Sequence, residues 1–140
     1  MARFYAQLFV LPFAVLGIGG VFLGDASHVV GGQAQGNLGA LVLHLTYARD
    51  ALDIGVALVL GYVGFVASRH AGKLVVLATG GLLSAIAVVG LLIGDDAAGS
   101  RSLAGLHFPL TINLIDLVSG VLGVLAGLGT IEDEPKPFLR

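Results

Sequence analysis

LHFPLTINLIDLVSGVLGVLAG, residues 106–127, decides the fold, because an earlier stretch repeats its polar skeleton. Leu106–His107 is followed by Asn113 and Asp116, and Leu43–His44 is followed by Asp50 and Asp53, all at one constant offset of 63 residues. Below each acidic turn runs an apolar segment rich in small residues. In the later copy Asn113, Asp116, Gly120, Gly123 and Gly127 recur at spacings of three and four, which places them on one face of a helix. Asp50, Asp53, Ala57, Gly61 and Gly64 form the earlier counterpart. The chain reads as an internally duplicated helical bundle with carboxylates at equivalent depths.

Working outward, composition names the solvent. The 140 residues are 56% hydrophobic and only 11% charged, with a mean hydropathy of +0.98. A soluble domain carries about 25% charged residues. These values place the chain in the membrane class. A net charge of −2 leaves no basic footprint for nucleic acid. Cysteine is absent, which excludes disulfides, thiolate nucleophiles and Cys-ligated metals.

Four uncharged runs follow one another, with lengths of 21, 15, 21 and 15 residues. The long runs, 4–24 and 74–94, match the ~20 residues needed to cross a hydrocarbon core. The short runs, 54–68 and 117–131, reach a full span only if they include the acidic turns. The expected all-α fold is therefore a polytopic single domain over 1–140. Its four transmembrane helices lie near 4–24, 47–68, 73–94 and 110–130, followed by a polar tail at 131–140. The first run is too long for a signal-peptide core and reads as a retained helix. Two helix hairpins repeat in the same orientation, with a pseudo-two-fold axis along the membrane normal.

Arg3, Arg69, Lys73, Lys136 and Arg140 fall on one side of these helices, and Arg49 and Arg101 on the other. The positive-inside rule puts both termini and a short 69–72 turn in the cytoplasm of a bacterial inner membrane. The longer loops, 25–46 and 95–109, face outward. Residues 38–47 read as a short interfacial or re-entrant segment over the bundle mouth. The preceding VVGGQAQGN reads as a flexible loop.

The seams of helices 2 and 4 are expected to pack on each other through Gly61, Gly64, Gly120, Gly123 and Gly127. That packing brings together a polar cluster of Arg49, Asp50, Asp53, Asn113 and Asp116. Three readings of the polar residues stand side by side. In the first, the cluster is a structural cap: Arg49 pairs with Asp53, Asn113 hydrogen-bonds a carboxylate, and register is fixed. In the second, Asp53 and Asp116 share a proton or cation, since intramembrane carboxylates mark ion pathways. In the third, the repeat-equivalent His44 and His107 ligate a metal or pigment, although no zinc spacing is present. No catalytic constellation is visible, and no cofactor is required.

The chain resembles the small four-helix bacterial membrane proteins grouped as domain of unknown function 4383. The resemblance is carried by Asn37-Leu38-Gly39 before helix 2, by the turns Asp50/Asp53 and Asn113/Asp116, and by Gly120 after Asp116. The family has His where Asp53 and Asp116 stand, so this chain departs from its pattern in both repeats. The resemblance implies a four-helix topology and no activity. The expected function is non-enzymatic: a structural or accessory protein in the lipid bilayer, associating with itself or with a larger membrane complex. The alternatives are a small proton or cation transporter, or an accessory subunit of a respiratory or photosynthetic complex.

Overall fold

The computed structural model describes residues 1–94 and 102–131. Expectations that fall on Asp95-Asp96, Arg101 and the tail from 132 onward lie outside the described residues. Four helices carry the fold: α1 (Ala2–Leu23), α2 (Tyr47–Phe65), α3 (Arg69–Ile93) and α4 (Leu110–Leu128). At 1.5 Å per residue they are roughly 28–38 Å long.

Their ends have local causes. Thr46 is the N-cap of α2, and its hydroxyl accepts from the Arg49 N–H at 3.2 Å. Pro109, its counterpart at the 63-residue offset, holds the same position before α4 with extended backbone. The expected 69–72 turn is instead the first turn of α3. The Ser68 hydroxyl accepts from the Ala71 N–H at 3.3 Å, so the helix starts four residues before the expected 73. The connection from α2 shrinks to residues 66–68, and α2 ends at Phe65 rather than 68.

α1 packs along α2, and α3 along α4, as two antiparallel hairpins. Gln7, early in α1, donates to the carbonyl of Gly64, late in α2, at 2.9 Å. At the other end, Gly17 faces the backbone of Asp50 and Ile54. In the second hairpin Gly80 lies against Gly120 and Val124, and a Cβ there would come within 2.7 Å of backbone atoms. The two hairpins join around Tyr5, Phe13, Leu60, Val63, Val76 and Leu83, all buried. Tyr5 donates to the Ser119 carbonyl at 2.8 Å, and the Ala2 N–H donates to the Thr130 hydroxyl at 2.7 Å. Both bonds tie the start of α1 to α4.

This arrangement corrects one expectation. The glycine seams of α2 and α4 do not pack on each other, and the two backbones barely approach. Gly64 serves α1, whereas Gly120 and Gly127 serve α3 through Ser84 and Leu77. Gly61 lies loosely against Val10, and Gly123 faces both Gly80 and the Tyr5 ring.

The surface is apolar, and the interior holds a polar cluster at one end of an apolar core. Phe4, Leu11, Phe22, Leu58, Phe65 and Leu92 point outward, while Arg49, Asp53, Asn113 and Asp116 are buried. An apolar surface with charges turned inward fits a hydrocarbon solvent. α1, α3 and α4 are long and apolar enough to cross a membrane. α2 carries Arg49, Asp50 and Asp53 within its first two turns and is not among them.

Two small hairpins lie at the end of the bundle that holds the acids. β1 (Val29–Val30) pairs with β2 (Gln33–Ala34) around Gly31-Gly32, whose φ values of 61° and 79° suit a primed hairpin turn. The segment read as a flexible loop is therefore ordered as a ribbon. β3 (Ser102–Leu103) pairs with β4 (Leu106–His107) around Ala104-Gly105. Residues 38–47 form no helix before Tyr47. Leu38 and Leu41 bridge in a tight turn, and Leu43, His44 and Leu45 then run into the interior.

Candidate functional site

A single guanidinium organises the polar centre. Arg49 stands in the first turn of α2, and its side chain is only 2% exposed. Its Nη1 and Nη2 donate to the two carboxylate oxygens of Asp116 on α4, each at 2.6 Å. Its Nε donates to Asp53 Oδ2 at 3.0 Å, and Nη2 lies 2.9 Å from Asp53 Oδ1. The fork on Asp116 is the strong, geometry-specific form of the ion pair. Asp53 and Asp116 are both 0% exposed. α2 and α4 thus meet through charge where their backbones do not meet.

Burial raises the stakes of this cluster. Removing one partner from a buried ion pair leaves an uncompensated charge and costs about 3–5 kcal/mol. The arrangement holds one cation against two anions before Asp50 is considered. Asp50, the next residue after Arg49, does not join the cluster. Its carboxylate points to α1 and sits where a Cβ on Gly20 would stand, so only glycine fits there. Asp50 is 1% exposed, and among the described residues neither of its oxygens receives a hydrogen bond. The start of a helix stabilises an anion by about 0.3–1 kcal/mol. Burying a polar group without a partner costs about 1–3 kcal/mol by protein mutational data.

Asn113 occupies the matching position on α4. Its Oδ1 lies where a Cβ on Gly90 would stand, and its Nδ2 donates to the Phe108 carbonyl at 3.0 Å. It bonds neither carboxylate of the cluster; its work is local to the second hairpin. Gly20 and Gly90 are themselves equivalent, 70 residues apart, so each hairpin seats one polar side chain on one helical glycine.

The loop above is fastened by side chains that the sequence pattern did not single out for this task. Asn37 Oδ1 accepts from the backbone N–H groups of Leu43 and His44, both at 2.9 Å, and Nδ2 donates to the Ala34 carbonyl at 3.1 Å. Thr46 Oγ1 donates to the Gly105 carbonyl at 2.6 Å, joining the two outer loops directly over α2. The readable signal for Asn37 was an Asn directly after a Gly-rich run, a typical site of side-chain to backbone bonding. Asp25, just beyond α1, accepts from Ser27, and that bond holds its carboxyl below the usual carboxylate range.

His44 and His107 are brought together, with ring centroids 5.5 Å apart and planes at 75°. Both are buried, His44 on a backbone of φ 45°. No three His, Asp or Glu side chains among the described residues gather as a metal site.

Comparison with known proteins finds no matching family model, no curated relative and no similar solved structure.

Proposed function

We propose that this protein is a four-span inner-membrane protein with both termini cytoplasmic, acting as a non-enzymatic structural or accessory component in association with itself or a larger membrane complex. One observation carries the reading: Nε, Nη1 and Nη2 of Arg49 each donate to a carboxylate of Asp53 or Asp116. A guanidinium fixed in this way acts as a lock between two hairpins, not as a mobile carrier group. The fourth span is supported by the direction of α2's charges. Arg49, Asp50 and Asp53 all face inward, while Leu58, Tyr62 and Phe65 face outward. From the lipid side α2 is as apolar as its neighbours.

Association is supported by a shallow apolar groove of about 380 Å³ between α1 and α2, lined by Val10, Ala14, Ile18, Leu58 and Gly61. Small residues at such a place let another helix approach closely. The test is gentle native extraction from the source membrane with mass spectrometry of the intact assembly. A reproducible complex or homo-oligomer supports the proposal; a bare monomer overturns it.

A second reading, proton or cation transport through Asp53 and Asp116, is favoured by one fact: two buried acids share one base. Ion flux in vesicles that is unchanged in Asp53→Asn and Asp116→Asn would remove it.

A further inference from the structure

The end of the bundle opposite the acids holds an open cleft of about 430 Å³, lined by α1, α2, α3 and the residues just past α4. Arg3 of α1 and Arg69 of α3, both exposed, line it together with Ala67, Ser68, Gly72 and Thr130. The sequence builds this cleft from two helix starts. The connection 66–68 is so short that α3 begins directly after α2 ends, and the Ser68 hydroxyl caps its first turn. Arg3, in the first turn of α1, donates from Nη2 to the Ala67 carbonyl at 2.9 Å, two residues before Arg69. That bond takes one of five guanidinium donors. It fixes an arginine of the first hairpin beside the start of the second.

Charge at this end is one-sided. Among the described residues, 1–9, 61–76 and 124–131 hold Arg3, Arg69 and Lys73 and no Asp or Glu. Neither α1 nor α3 has an acid in its first turn. The start of a helix favours an anion and disfavours a cation, so each arginine stands where its own helix repels it. A negative group in the cleft would be answered by both side chains and by both helix starts at once. α1 and α3, two of the helices apolar enough to cross a membrane, begin here. The cleft therefore lies at the level of lipid phosphates, and basic pockets between spans bind anionic head groups.

We infer that this cleft is a binding site for a phosphate group of net negative charge, the head group of an anionic phospholipid or a free phosphate, held between Arg3 and Arg69. The planar guanidinium fork suits phosphate oxygens. A phosphate bound there links the first hairpin to the second at the end that lacks the ion pairs of Arg49. The inference needs the protein in a bilayer and does not rest on the accessory role proposed above.

The test uses the full chain in nanodiscs of phosphatidylcholine with and without phosphatidylglycerol, and native mass spectrometry reads the lipid that stays bound on release. The wild type is expected to retain phosphatidylglycerol over phosphatidylcholine. Arg3→Gln and Arg69→Gln should each weaken that retention about tenfold, the loss expected of one charge-assisted hydrogen bond. Lys73→Gln removes a charge at the same end without lining the cleft and should change retention little. Thermal melting separates the two sources of phosphate. Inorganic phosphate that raises wild-type melting in phosphatidylcholine, but not that of the arginine variants, assigns a free phosphate. Phosphatidylglycerol that raises melting where inorganic phosphate does not assigns the lipid. Three results would overturn the proposal: no response to either probe, an equal loss in Lys73→Gln, or binding that appears only after Glu132, Asp133 and Glu134 are changed to Gln. The last would give the arginines to the chain's own tail.

Discussion

Arg49 of α2 and Asp116 of α4 are joined by two parallel hydrogen bonds of 2.6 Å, although they stand 67 residues apart and on helices whose backbones hardly touch. The bond between the two halves of the molecule is thus ionic at the acid end. At the other end, by Tyr5 and Ala2, it is made of neutral hydrogen bonds and apolar packing.

Arg49→Ala should lower stability by about 3–5 kcal/mol, because it leaves Asp53 and Asp116 buried without a counter-charge. Arg49→Lys keeps the charge but not the fork, and should recover only part of the loss. A triple replacement of Arg49, Asp53 and Asp116 by Met or Leu should be milder than Arg49→Ala alone. Thermal unfolding in one detergent ranks all three. A triple variant weaker than Arg49→Ala would count against the cluster as a purely structural lock.

Gly20→Ala drives a methyl into the Asp50 carboxyl. The loss should be relieved when Asp50 is also cut back to Ala. A double-mutant cycle should give a coupling of about 0.5–3 kcal/mol, as for residues in direct contact. Additive losses would mean that the two side chains do not meet.

Gly80 and Gly81 are neighbours with opposite surroundings: one is pressed against the backbone of α4, and the other faces open space. Gly80→Val should cost about 1–3 kcal/mol through overpacking. Gly81→Val should change unfolding by less than about 0.5 kcal/mol, as surface substitutions do. Equal effects would argue against the α3–α4 register.

Thr46→Ala removes both the cap of α2 and the bond to Gly105. A lost N-cap costs about 1 kcal/mol. Faster hydrogen exchange should appear at the first turn of α2 and around Gly105 together. Exchange confined to α2 would separate the two outer loops.

The absence of native cysteine makes the chain a ready host for single-cysteine labelling. Gln33→Cys in the first ribbon should react with an impermeant maleimide on intact spheroplasts. His70→Cys, at the start of α3, should react only after permeabilisation. The opposite pattern would reverse the proposed orientation.

The duplication was legible because polar residues are scarce in an apolar chain, so His44, Asp50 and Asp53 stand out against His107, Asn113 and Asp116. The face of each helix was legible for the same reason: three-and-four spacing fixes an angle around an axis. The partner of that face was not. Gly17 and Gly20 on α1, and Gly80 and Ser84 on α3, present seams of the same period as those on α2 and α4. A shared period cannot choose among several antiparallel neighbours. The reach of Arg49 was missed because Asp53, four residues on, offered a sufficient local partner. The ribbon at residues 29–34 was written in Val-Val-Gly-Gly, a primed-turn signal that the surrounding polar glycines masked.

The Arg49–Asp116 bond also sets an order of events at synthesis. α2 leaves the ribosome with three charged side chains and only Asp53 to answer Arg49. Asp116 follows 67 residues later, which at about 5–20 residues per second is roughly 3–13 seconds. During that interval Arg49 has one of its two carboxylate partners and lacks the other. A chain truncated before residue 116 would keep the α1–α2 hairpin but leave Arg49 facing Asp53 alone, so that hairpin is expected to be less stable by itself than in the finished molecule.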